Sequence, residues 1–90
     1  MPGKARKGKI DMSQLLETLW NATSDLLYRV RSYDRKLAYS EEVLRMNEQL
    51  RRIEGLKFSD DEELIALEVE KLKEMRSRLL TVMEDLLFTA

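Results

Sequence analysis

Ninety residues limit this chain to one small domain, near the size at which a single core is only marginally stabilising. Hydrophobic residues make up 43% and charged residues 37%, with three Gly and one Pro, which is the composition of long helices or coiled coils. Cys and His are both absent, which excludes disulfides, thiol nucleophiles, Ser–His and Cys–His pairs, and the ordinary zinc, haem and iron–sulfur ligand sets.

The net charge of −1 hides an asymmetry. Residues 1–9 carry four cations (Lys4, Arg6, Lys7 and Lys9) and no acid, whereas residues 55–90 carry nine acids against five bases. No apolar run approaches the ~18 residues of a membrane span. The first twenty residues also lack a secretory hydrophobic region. The expectation is a soluble, cytoplasmic chain with no transmembrane segment.

In chain order, "MPGKARKGK" has two Gly, one Pro and no apolar periodicity, and reads as a disordered basic arm over 1–9. A helical domain over 10–90 follows. Asp11 is placed as an N-cap with Gln14 three residues on, and Ile10 and Leu15 stand at the positions of a hydrophobic staple. No Gly or Pro then occurs until Gly55, so the spacing predicts a first helix over about 11–54, ~65 Å long if straight. Gly55 suits the left-handed residue that ends a helix, in a loop over 55–59. Ser59 with Glu62 forms a Ser-x-x-Glu capping box, and Asp60 and Asp61 suit the positive end of the helix dipole. A second helix is predicted over about 60–88.

That second helix keeps one stripe throughout. Ile65, Leu72, Leu79 and Leu86 recur every seven residues, with Met75 and Val82 between them, and Leu64, Val69, Leu80, Met83 and Leu87 widen the stripe into a broad face. The first helix changes face. Leu16, Leu19, Thr23, Leu26, Leu27, Val30, Tyr33 and Leu37 share one side, flanked by Trp20. Beyond Tyr39 the apolar set (Tyr39, Val43, Met46, Leu50, Ile53) points roughly opposite, and only Leu44 keeps the old direction. Heptad drift of ~20° per repeat cannot produce this switch. Either Ser40 caps a new helix, or one continuous helix buries opposite faces at its two ends. The second reading is adopted, because nothing in "KLAYSEEVL" demands a positive φ or lacks a donor.

The predicted fold is thus an all-α helical hairpin, one long and one shorter antiparallel helix, assembling into a dimeric helical bundle or coiled coil. The shorter helix would cover only part of the longer one. Leu16, Leu19, Trp20, Leu26, Leu27, Val30, Tyr33 and Leu37 are therefore the expected partner interface.

Functional chemistry is sparse. Asp60-Asp61-Glu62-Glu63 lacks the spacing and central Gly of a calcium loop and reads as capping. A general acid–base pair such as Glu17 and Glu68 needs a pocket to be argued. Tyr28, Arg31, Arg35 and Tyr39 could stack on bases, but they read as a solvated face with acids nearby. No catalytic, cofactor or metal site is assigned. The expectation is a non-enzymatic, self-associating interaction module, structural or adaptor in role. Two alternatives stand beside it. One is a small dimeric nucleic-acid-binding protein using Lys4, Arg6, Lys7 and Lys9, possible on charge but not favoured. The other is an assembly or secretion chaperone that holds another protein's helix.

Overall fold

A computed structural model describes residues 11–89. Three helices occupy it: α1, Met12–Tyr33; α2, Ser40–Glu54; and α3, Glu62–Thr89. The chain is all-helical among the described residues, and no helix among them is long and apolar enough to cross a membrane. The predicted basic arm, with Lys4, Arg6, Lys7 and Lys9, lies outside the described residues, as does the staple residue Ile10.

The start of α1 is where the sequence puts it. Asp11 is the N-cap, and its Oδ1 accepts the backbone N–H of Ser13 at 3.0 Å. The end of α1 is not where the sequence puts it. The continuous first helix is wrong, and the hairpin becomes a three-helix unit, because the chain leaves the helix at Asp34 and re-enters at Ser40.

Four backbone bonds build the turn. Asp34 N–H still donates to Val30 O at 2.9 Å, and Arg35 N–H donates to Tyr33 O at 3.0 Å. Leu37 N–H then donates to Asp34 O at 3.1 Å, and Ser40 N–H to Leu37 O at 3.4 Å. Leu37 adopts φ 59, the left-handed region.

Ser40 is the first residue of α2 and not its cap. The N-cap position is Tyr39, whose side chain makes no capping bond. The capping group comes from further back. Asp34, only 3% exposed, turns its carboxylate onto the start of α2: Oδ1 accepts Ala38 N–H and Oδ2 accepts Tyr39 N–H, each at 2.8 Å. One carboxylate thus satisfies two donors that no helical carbonyl could reach, and places a negative charge at the positive end of α2.

The next turn also corrects the sequence reading. Gly55 is right-handed, at φ −67 and ψ −15, and ends α2 without a left-handed residue. Asp61, not Ser59, caps α3: its Oδ1 accepts the N–H groups of Glu63 and Leu64 at 3.1 and 3.2 Å. Ser59 acts one step earlier, its hydroxyl accepting Asp61 N–H at 3.1 Å.

Cross-links between helices fix the topology. Trp20 Nε1–H donates to Leu50 O at 2.6 Å, so the first half of α1 lies beside the last turns of α2. Arg78 pairs with Glu42, so the start of α2 lies beside the later half of α3. The order is up–down–up, and α1 and α3 run parallel with the most extensive contact between them.

The core collects the predicted stripes. Ile65, Leu72, Met75, Leu79 and Val82 of α3 are buried, with Leu86 packed at the edge. Val43, Met46, Leu50 and Ile53 of α2 close over them. Leu16, Leu27 and Val30 of α1 complete the core, and each such fully buried side chain contributes about 1.5–3 kcal/mol. The face that a two-helix hairpin would leave bare is thus covered within the chain. The folding back of α2 supplies what the hairpin lacked.

Substitution at the turn should separate the two candidate caps. Asp34→Ala leaves the Ala38 and Tyr39 N–H groups without their acceptor and is expected to cost about 1–3 kcal/mol in chemical denaturation. Ser40→Ala removes no capping bond and is expected to fall within about 0.5 kcal/mol of wild type. Equal effects of the two changes would contradict this assignment.

Candidate interaction site at the α1–α2 turn

The turn between α1 and α2 carries an exposed apolar surface. Three side chains line one groove between α1 and α2: Tyr28, Leu37 and Leu44, 71%, 68% and 63% exposed. Val43, from the core, completes its lining with Arg31, Ser32, Asp34 and Ser40. Leu44 is the residue that kept the old direction in the sequence, and here it points out of the bundle.

Charges of both signs lie about the turn. Arg31 lines the groove itself, and Arg45 shares an adjoining recess with Leu37, Glu41 and Glu42. Arg35 and Lys36 precede Leu37 in the turn and line a separate recess with Tyr33, Tyr39, Asp85 and Leu86. All four cations are exposed. Ion pairs join Lys71 to Glu68, Lys73 to Glu70 and Arg78 to Glu42, and the Arg45 charge helps to hold the Glu42 carboxyl down. The expected pairing of Arg31 with Asp34 does not form, because the Asp34 carboxylate is already held by backbone N–H groups.

On the opposite side of the turn, a polar clasp ties α2 to α3. Arg78 Nε and Nη2 donate to Glu42 Oε2 and Oε1 at 2.7 and 3.0 Å, a two-pronged pair. The Arg78 guanidinium also lies 5.9 Å from the centre of the Tyr39 ring, and the Tyr39 hydroxyl donates to Asp85 Oδ2. The hydrogen bond from Arg78 holds the Glu42 carboxyl below its usual range, partly offset by burial, and the same bond raises Arg78. The bond to Asp85 raises the Tyr39 phenol above its ordinary value of 10.0.

The structure distributes the eight expected interface residues unevenly. Leu16, Leu27 and Val30 are inside the core, and Leu19, Trp20 and Leu26 pack against it. Only Tyr33 and Leu37 are exposed, at 53% and 68%. Trp20 is further occupied by its bond to Leu50 O and by Lys57 Nζ, 5.2 Å from its ring. Tyr28 and Leu44, which sequence reasoning set aside, join Leu37 instead. The available signal was Leu44, an apolar residue with no partner on its own face.

Glu68 is buried and bonded to Lys71 Nζ at 3.3 Å, while Glu17 lines an exposed recess with Ser13, Gln14, Lys57 and Phe58. Asp61 of the acidic run is a helix cap, and no group of three or more acids among the described residues is placed to hold a metal ion. The groove combines apolar side chains with one cation, Arg31, and one carboxylate, Asp34. Comparison with protein families, with curated proteins and with solved structures finds no match for this chain.

The clasp has a pH signature. A lowered Glu42 pKa contributes stability that is present above its unfolded value and lost as pH falls through the folded value. Glu42→Gln should therefore be less stable than wild type near neutrality, by no more than about 1 kcal/mol for so exposed a pair. The difference should close as pH drops below the usual carboxylate range, measured by denaturant melts across pH. A raised Tyr39 pKa works at the other end: its contribution is present below 10.0 and lost as pH rises beyond. A Glu42→Gln deficit that stays constant down to strongly acidic pH would contradict the assignment.

Proposed function

We propose that the chain is a non-enzymatic helical interaction module, structural or adaptor in role, that associates with copies of itself through the Tyr28–Leu37–Leu44 groove. One observation carries this reading: Leu37 sits at φ 59 while its side chain is 68% exposed. A left-handed conformation costs a residue with a Cβ roughly 1–2 kcal/mol. Burial gives nothing back at this position. Folding alone favours Gly or Asn there, so the value of a leucine lies in a contact outside the monomer.

The groove around it supports the same reading. Tyr28 and Leu44 extend the apolar surface, and Arg31 lines it. This surface replaces the face from Leu16 to Val30 as the expected contact, since that face is used within the chain. A foreign helical protein docking in the same groove is the adaptor form of the proposal.

Leu37→Asn tests it, because Asn tolerates the left-handed region and cannot fill an apolar contact. Light scattering should give wild type a mass above that of one chain and the variant the mass of one chain. At a dilution where wild type is itself monomeric, the variant should melt higher by about 4–8 °C, the equivalent of about 1 kcal/mol. A variant that keeps the wild-type mass, or melts lower at that dilution, would overturn the reading.

A further inference from the structure

We infer that two copies of this chain exchange α1. The turn at 34–39 straightens, α1 and α2 join into one helix, and each α1 packs on the α2–α3 pair of the second copy. This rests on the reading that copies associate through Leu37, and adds the form that the association takes.

The turn is built so that little is lost when it straightens. It contains no Gly or Pro, and Arg35, Lys36, Leu37 and Ala38 are all good helix formers. Leu37 leaves its left-handed conformation, at φ 59, for one that its Cβ favours. Asp34 holds the N–H groups of Ala38 and Tyr39 in the closed chain. In a straight helix those two donors find the carbonyls of residues 34 and 35, four positions back. Neither is stranded. Short loops under strain invite such an exchange.

The contacts of α1 are kept, between chains instead of within one. Trp20 Nε1–H reaches Leu50 O of the second copy, and Leu16, Leu27 and Val30 enter its core. The clasp from Glu42 and Tyr39 to Arg78 and Asp85 stays inside each chain, because α2 and α3 do not separate.

New contact comes from residues that the closed chain leaves in solvent. Leu16, Thr23, Val30, Leu37 and Leu44 follow one another at intervals of seven. The first three are buried and the last two exposed, and in a straight helix all five form one line. Tyr33, also exposed, stands three residues after Val30 and beside that line. The register follows from Trp20 and Leu50. With residue 20 opposite residue 50 in an antiparallel pair, residue 33 of one copy stands opposite residue 37 of the other. The core face of α2 lies on the other side of the straightened helix, so the two rods cross at this point. Leu37 and Tyr33 from both copies fill the crossing. Each copy gives one α1 and receives one, which closes the assembly at two chains with two-fold symmetry.

Distances within one chain test the exchange. A chain carrying Thr18→Cys and Arg52→Cys, both spin-labelled, is mixed at dilution with a large excess of unlabelled chain and then concentrated. While the chain is single, the labels should lie within about 25 Å, as on packed neighbours. Where sedimentation gives two chains, and no more, they should move to about 50 Å. Asp34→Ala removes bonds that only the turn needs, and should form the dimer at a roughly tenfold lower concentration. Leu37→Gly accepts the turn and empties the crossing, and should remain one chain with wild-type helicity by circular dichroism. A dimer that Leu37→Asn abolishes but whose labels stay close would sink the exchange and leave the reading of the groove standing. A dimer that Leu37→Asn leaves intact would overturn both. A wild-type chain that stays single at every concentration would also overturn the inference.

Discussion

Two hydrogen bonds from one buried carboxylate determine how this chain is divided. Asp34 ends α1 and, through Ala38 N–H and Tyr39 N–H, starts α2. Without a break here, residues 12–54 would form a single rod whose two apolar faces point in opposite directions. With it, α2 folds back, Trp20 reaches Leu50 O, and both faces meet the same core. The carboxylate does in one place what two separate caps do elsewhere, and its burial is tolerable because both oxygens are bonded. The clasp of Glu42, Arg78, Tyr39 and Asp85 then holds the turn end of α2 against α3.

Much of this was legible in the sequence. The heptad positions named the core of α2 and α3, because helical periodicity is a property of local spacing, but Leu80 and Leu87, read onto the same broad face, are exposed. The start at Asp11 was legible for the same reason. Even the reversal left a trace, in the switch of apolar face near Tyr39. The break itself was hidden, since no Gly or Pro marks it and the capping acid lies six residues before α2 begins. Local propensity favours helix across "KLAYSEEVL", and tertiary burial of both faces overrides it.

The candidate site was less legible than the fold, for a related reason. Left-handed backbone was expected at Gly55, where a glycine invites it, and it occurs at Leu37, where the residue resists it. Gly55 adopts a conformation open to any residue, and a Cβ there would meet Arg52 O at an ordinary 3.5 Å. Leu37 takes the strain instead and gains no burial by it. Sequence patterns report what stabilises a fold; a residue that works against the fold becomes visible only when the backbone is seen. The result is an apolar side chain raised on a turn, with Tyr28, Leu44 and Arg31 beside it.

Everything proposed for this chain depends on the reversal between Tyr33 and Ser40, and one distance measures it. The chain has no Cys, so Thr18→Cys with Arg52→Cys, both at exposed positions, gives two unique sites for spin labels. At a dilution that keeps the chain single, pulsed electron–electron spin resonance should place the labels within about 25 Å of each other, because antiparallel neighbours pack with their axes 8–10 Å apart and the labels add their own length. A continuous helix through Ser40 would place them about 50 Å apart. A distribution centred at the longer distance would contradict the reversal, and with it the groove that the reversal creates.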